Sequence, residues 1–545
     1  MRGPIAGGLM LMGLACSGWS AANSSANVGE SIYLRGTVGS GAPVRATRVS
    51  GLRMEGPAAA CVNCHRHSGL GTTEGRLTIP PITGRYLFQP RTMSRDEVEL
   101  SYVEGVHGNR DPYTDESLAR AIRDGLDSAG KPLAYLMPRF ALGDSDMAAL
   151  VDYLKKLDAR SVPGVTDTLL HFATIITSDA DPVKQRGMLD VIGHYFADKN
   201  TFPFPPTPRM RSSGKTLYTK SMYMANRRWQ LHVWELSGPA ATWNAQLEQH
   251  MKEEPVLAAV SGLGGANWSP VHQFCERARL PCLFPNVEVP VAAEGDFYSL
   301  YFSKGVLLEA ELIAKRMRET GSGPPIRAVQ QLYRMGDSGE QAASALAAAL
   351  KGQGFDVRSN VLPRGAAGQA VAEALHQAPA ADVLVLWLRP ADLSALGEPP
   401  TAVSEMFMSG LMGGLENSPL PDSWRSRTRV AYPFDLPDLS RVRVNLPLEW
   451  FKIRRIPVVA EQVQVDTYLA CGLLAETVSH MADTFGQDYL VERMDEMLEH
   501  RLMTGYYPRL TLAAGQRFAS KGGYLLRFDG ADGNRIHPDG GWLVP

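Results

Sequence analysis

The chain has 545 residues, 44% of them apolar, too many for one ordinary core and too apolar for disorder, so two or three domains are expected. With 55 basic against 57 acidic residues the formal charge is -2, which leaves no positive excess to neutralise phosphates or to hold an anionic lipid surface. Nucleic acid is therefore not expected as a partner.

The first 22 residues have the layout of a secretory signal: Arg2, an apolar run from Pro4 to Ala15, then small residues ending Ser20-Ala21-Ala22. Cleavage after Ala22 fits this pattern. Cys16 opens the alternative of an acylated lipoprotein, although Gly13 stands where such signals usually carry Leu. No later stretch supplies the roughly 18 consecutive apolar residues of a membrane span, so an exported, periplasmic protein is expected, in a compartment where disulfides persist.

Cys61-Val62-Asn63-Cys64-His65 is a C-x-x-C-H site, the spacing at which two thiols reach the two vinyl groups of one haem while the next imidazole reaches the iron. Zinc would need a second cysteine pair, and the chain has no other C-x-x-C. A thioredoxin-like pair would sit between a strand and a helix, whereas these flanks are rich in Gly, Pro, Ala and Ser.

The sixth iron ligand is expected from Met137, in Leu136-Met137-Pro138, where Pro138 stiffens a loop between two helical patterns. Met54, Met93, Met147, His67 and His107 compete, and an ordinary methionine fills a core gap. Leu118, Ala121, Ile122 and Leu126 precede the loop at helical spacing; Met147, Leu150, Val151, Leu154 and Leu157 follow it on one helix face, with Asp144 as the cap.

Residues 29–160 resemble the class I monohaem cytochromes c: the C-x-x-C-H site lies early, Arg123-Asp124-Gly125 ends a helix, Met137-Pro138-Arg139 forms the ligand loop, and a helix through Leu150-Val151-Asp152-Tyr153-Leu154 closes the segment. The resemblance implies a small all-α domain, one covalent haem c on Cys61 and Cys64, His65 and Met137 as axial ligands, and outer-sphere electron transfer. Pro80 and Pro81 resemble that family's proline loop on the His side of the haem, and a plain turn explains them equally well.

Ser161-Val162-Pro163-Gly164 opens an expected linker, residues 161–166. Beyond it, short apolar strands alternate with amphipathic helices, the pattern of parallel sheets with crossover helices. Strands are expected at Leu169–Ile176, Val256–Val260, Ala328–Leu332, Phe355–Val361 and Val383–Leu388, and helices at Gln185–Phe196 and Ser338–Leu350. Nearly 380 residues of this texture suit two α/β lobes with a cleft between them.

This long segment, 167–545, resembles the type I periplasmic binding proteins, the leucine-binding-protein or receptor ligand-binding family. The resemblance rests on the opening strand-helix unit, on Val260-Ser261-Gly262-Leu263-Gly264-Gly265, on Tyr301-Phe302-Ser303 before a long helix, and on the tail from Pro508-Arg509-Leu510 to Gly522-Gly523-Tyr524. It implies a two-lobed α/β domain with Ser261, Gly262 and Gly265 at a solute, and Trp268 stacking on it or filling core. A tight turn accounts for Ser261 and the glycines as well.

Cys275 and Cys282 bracket one short turn and are expected to form a disulfide; a redox-active pair or two buried thiols are the alternatives. Cys471 falls on an apolar helical pattern and reads as an inert buried thiol, and His272, His480 and His500 read as isolated histidines. G-x-S-x-G, P-loop and H-E-x-x-H motifs are missing, so no enzymatic activity of its own is assigned. The function expected is that of an exported electron-transfer cytochrome with a domain for a solute or a redox partner, such as a quinoprotein dehydrogenase. The rivals are a haem-bearing solute receptor and, less compatible with a firm Met137 bond, a peroxidase.

Overall fold

A computed structural model describes residues 28–74, 77–89, 111–157, 161–201, 227–293, 295–319, 327–366, 368–376, 381–481, 484–500, 505–513, 515–528 and 536–545. The expected signal segment with Cys16, and the ligand candidates Met93 and His107, lie outside these residues. The chain divides into two compact units between Ser161 and Val162.

The first unit is helical around one core. A helix at 28–35 and the helices Asp115–Asp124 and Asp144–Lys156 bury Ile32, Tyr33, Leu118, Ile122, Met147, Leu150 and Leu154 together. The helix Asp115–Asp124 starts where it does because Thr114 and Ser117 form a reciprocal capping box. It stops at Gly125, whose φ of 70° suits the left-handed cap that glycine adopts without strain.

An all-α description is corrected here. β1 (Arg45–Thr47), β2 (Arg53–Glu55) and β5 (Arg139–Phe140) form a three-stranded antiparallel sheet, and β3 (Thr72–Glu74) pairs with β4 (Leu77–Ile79). The physical reason is connectivity: the extended segments between helices lie side by side and satisfy their backbone groups on one another.

The second unit holds two sheets. One is wholly parallel, in the order β10-β9-β8-β6-β7, built from β6 (Leu169–Ile176), β7 (Arg228–Glu235), β8 (Ala258–Val260), β9 (Cys282–Leu283) and β10 (Ser299–Leu300). The other runs β12-β11-β13-β14-β15-β16-β17, from β11 (Ala328–Arg334), β12 (Asp356–Leu362), β13 (Val383–Trp387), β14 (Glu405–Ser409), β15 (Thr428–Tyr432), β16 (Tyr524–Phe528) and β17 (Ile536–Pro538). Its first five strands are parallel and its last two antiparallel.

Each sheet buries its own apolar core. Ala173, Ile175, Trp234, Val256, Trp268 and Phe274 belong to the first lobe, and Val329, Leu346, Val383, Val385 and Phe407 to the second. After β15 the chain returns to the first lobe, where Val444, Phe451 and Val465 pack on Val191. It thus passes between lobes three times: after β10, after β15 and before β16. At the first and third of these crossings the Tyr301 N–H donates to Arg517 O at 2.9 Å and the Ala519 N–H donates to Tyr301 O at 2.9 Å, so these two connecting strands support one another.

The expected linker is folded onto this second unit: the His171 N–H donates to Gly164 O at 2.8 Å, and a side chain at Gly164 would meet Leu257 N at 2.4 Å. Among the described residues, no helix is long and apolar enough to cross a membrane.

Candidate functional site

In the first unit Cys61 is the N-cap of the one-turn helix Val62–His65, so the C-x-x-C-H residues wind around a single turn. The His65 ring is buried at 6% exposure, and its Nδ1 lies 3.1 Å from Pro80 O. Only a protonated Nδ1 can donate to a carbonyl, so the neutral ring presents Nε2 as its lone-pair nitrogen. Burial lowers the imidazole pKa to about 4 although the Pro80 carbonyl favours the charged form, and the ring is neutral at ordinary pH. Pro80, for which the sequence left open a proline loop on the His side of a haem or a plain turn, thus has His65 as a defined partner.

Cys61 and Met137 are half-buried and pack against the same apolar core. The Met137 loop is pinned at the backbone: its N–H donates to Ala134 O at 3.0 Å, and its carbonyl accepts from Arg139 Nη1 at 2.7 Å. Arg139 reaches across Gly125, where a Cβ would lie 1.7 Å from the guanidinium carbon, a second reason for glycine there. The competitor Met147 is core, at 3% exposure.

In the second unit the loop after β8 differs from expectation. Ser261 is fully buried; its hydroxyl donates to Thr467 Oγ1 at 2.8 Å and accepts from Asn286 Nδ2 at 3.0 Å, bonds that hold it inside the lobe, away from solvent. Trp268, 1% exposed, is core. The glycines are there for that indole: a Cβ on Gly262 would sit 2.8 Å from Trp268 Cη2, and one on Gly264 would sit 2.7 Å from its Cε3. Gly265 faces Asp179, with its N–H 3.2 Å from Thr177 Oγ1 and 3.3 Å from Asp179 Oδ1. Of the four residues expected at a solute, Gly265 alone lies beside an exposed polar side chain.

The polar groups that do meet between the lobes are others. Glu288, on the loop after β9, receives Arg389 Nη1 at 2.8 Å and Nη2 at 2.6 Å. Arg389 follows β13 and also reaches Asp337, at 2.9 Å from Nε and 2.6 Å from Nη2. Lys184, from the helix Pro182–Thr201, adds a bond to Glu288 at 3.2 Å, and Ser338 Oγ donates to it at 2.8 Å. Burial pushes the Glu288 carboxyl up, but the Arg389 and Lys184 charges outweigh it and hold the pKa at about 2.

Asp337 and Arg389 share one sequence signal: a charged side chain just past the carboxyl end of a strand, where open α/β sheets bind their ligands. The signal is present in Asp337-Ser338 and in Arg389-Pro390, and composition alone does not single it out.

Cys275 and Cys282 stand as buried thiols with a side-chain hydrogen bond between them. Cys471 is buried, and desolvation raises its pKa.

His272 is not isolated. Its Nε2 lies 3.0 Å from Asp296 Oδ2, its Nδ1 is 3.0 Å from Tyr301 Oη, and Glu276 is one helical turn on. Glu276 accepts the backbone N–H groups of Phe297, Tyr298 and Ser299 at 2.9, 3.2 and 2.7 Å. Donors of this kind can ligate a metal, but here they are spent in fastening the chain before β10 to the helix Ser269–Ala278.

No protein-family model matches the chain, and no curated protein matches it. Solved structures align with it at low identity. A possible leucine/isoleucine/valine-binding protein from Rhodopirellula baltica is 14% identical, covering 70% of this chain and 98% of its own at a TM-score of 0.48. A leucine-binding protein from Thermotoga maritima is 11% identical, covering 69% and 99% at 0.48. A fatty acid ABC transporter substrate-binding protein from Thermomonospora curvata is 14% identical, covering 71% and 95% at 0.46.

Proposed function

We propose that the chain is a two-lobed binding protein, of the type I periplasmic kind, that carries one c-type haem on its N-terminal unit. Residues 162–545 recognise a small solute or a redox partner between the lobes. The observation that carries the haem is the bond between His65 Nδ1 and Pro80 O within a C-x-x-C-H turn, because it leaves Nε2 with the lone pair an iron ligand needs. Cys61 and Cys64 would hold the group by thioethers, and His65 and Met137 would ligate its iron.

Bound there, haem supplies one-electron redox chemistry, at a potential that a methionine ligand raises. The chain's own residues do the positioning. Pro80 O fixes the orientation of the imidazole, Ala134 O and Arg139 hold the Met137 backbone, and Cys61 and Met137 pack against one core that includes Ile32, Val44 and Leu150. In this reading residues 1–22 direct the protein to the periplasm, and a quinoprotein dehydrogenase is a candidate redox partner.

A second reading, a haem-bearing solute receptor for a transporter or a sensory system, draws support from the charged groups of both lobes that meet at Glu288, Asp337 and Arg389. In it, closure of the lobes is the output.

One experiment separates the readings: a pyridine haemochrome assay and a reduced-minus-oxidised spectrum of the exported protein, followed by titration with candidate solutes. One covalent haem that exchanges electrons rapidly and ignores every solute favours the electron carrier. Tight solute binding without fast electron exchange favours the receptor, and a protein without covalent haem overturns the leading reading.

A further inference from the structure

The helix Pro437–Arg454 is apolar on two opposite faces. One face, with Val444 and Phe451, enters the core with Val191 and Val465. The other carries Leu439 at 58%, Val442 at 78%, Leu446 at 49% and Ile453 at 72% exposure. Their spacing of three, four and seven residues sets all four in one stripe, as in a coiled-coil seam. Single exposed apolar residues are ordinary, but four aligned on the solvent side of one helix mark a contact surface.

We propose that this stripe pairs with a second copy of the chain, helix against antiparallel helix, about a two-fold axis near Asn445. The flanking charges favour this occupant. Asp438, Asn445 and Lys452 are exposed and seven residues apart, so they share one flank of the stripe. An antiparallel pair centred on Asn445 sets Asp438 opposite Lys452 of the second copy, twice over, and Asn445 opposite its own counterpart. A parallel two-fold pair would place these flanks on opposite sides of the seam, out of reach of one another.

The macrodipoles of the two helices also run in opposition, which favours the antiparallel arrangement. Lys452 is held at 2.8 Å by Glu449 in its own helix, but these side chains are 73% and 63% exposed and free to exchange partners. Such a contact is isologous and closes at two copies. A surface one helix wide falls short of the about 800 Å² per partner of a standard interface, so the dimer is concentration-dependent. The inference rests on neither haem nor solute.

The test is sedimentation velocity of the full chain over a wide concentration series. The weight-average mass is expected to rise from that of one chain toward two, and Val442→Asp is expected to hold it at one. Asp438→Lys and Lys452→Asp should each weaken association by about tenfold, roughly 1.4 kcal/mol, and the two changes combined should restore it. A single chain at every concentration overturns the proposal, as does a dimer indifferent to Val442→Asp. A monomer that binds lipid vesicles through this face, and loses them with Val442→Asp, would assign the stripe to a membrane and overturn it equally.

Discussion

Arg389 grips Glu288 with two parallel bonds, 2.8 and 2.6 Å long, and joins the loop after β9 of one lobe to the loop after β13 of the other. The same guanidinium holds Asp337 at 2.6 Å, so one arginine is shared by two carboxylates with side-chain exposures of 19% and 20%. Fork-shaped pairing of this kind fixes geometry as well as charge. Glu288→Ala should lower stability by roughly 1–2 kcal/mol, because Arg389 keeps Asp337 while Lys184 loses its partner. Urea denaturation measures the loss. Small-angle scattering should show a wider spread between the lobes, and an unchanged profile would mean that the bridge does not hold them together.

On the proposed haem reading, Met137→Ala should shift the haem spectrum and open the iron to carbon monoxide, while Cys61 and Cys64 would still hold the group. A spectrum identical to that of the parent protein would remove Met137 from the ligand set.

Glu309 is fully buried; its carboxyl accepts the Leu411 N–H at 2.9 Å and a bond from the Ser409 hydroxyl. Desolvation raises its pKa to about 8 against those hydrogen bonds. The native state therefore binds the proton more tightly than the unfolded chain, so this group's contribution is fully present below about pH 4.5 and is lost as pH rises through about 8. Glu309→Gln should flatten that decline, which is on the order of a few kcal/mol. Thermal melts across this range, compared between parent and variant, decide it; parallel curves would remove Glu309 as the cause.

Cys275 and Cys282 are buried neighbours, so if the chain is exported as proposed, oxidation should join them. Alkylation of the unfolded, unreduced protein followed by mass spectrometry should find neither thiol reactive. Reduction should then cost about 2.5 kcal/mol on the chain-entropy account, and two alkylated cysteines would leave the pair as thiols.

Gly264→Ala should destabilise by about 1–3 kcal/mol through overpacking against Trp268, whose Cε3 would lie 2.7 Å from the new Cβ. Because the indole is core, solute affinity of the folded fraction should not change. A large loss of affinity at unchanged stability would return this loop to the binding site.

Local patterns were legible wherever apolar periodicity was strong. The Leu169–Ile176 strand and the Ser338–Leu350 helix match their expected bounds. The helix expected from Gln185 begins at Pro182 instead, because Asp181 Oδ1 accepts the N–H groups of Val183 at 2.8 Å and Lys184 at 3.0 Å, and a side-chain cap adds a turn that apolar spacing does not register. The glycine-rich loop was legible as a loop, but its purpose was not. The glycines answer to the Trp268 indole folded back over them, and nothing local distinguishes that from a bed for a ligand.

The sequence by itself determined what depends on covalent spacing and short-range periodicity: the Cys61–His65 turn, the alternation of strands and helices, and the helical faces that bury Leu118 and Leu150. Only the tertiary structure decided which polar groups come together. Pro80 O meets His65 across 15 residues, Asp296 reaches His272, Thr467 takes the Ser261 hydroxyl across 206 residues, and Glu288 finds Arg389 across 101. A hydrogen bond or an ion pair forms between whatever donors and acceptors the fold brings within about 3 Å, and separation along the chain carries no record of that distance.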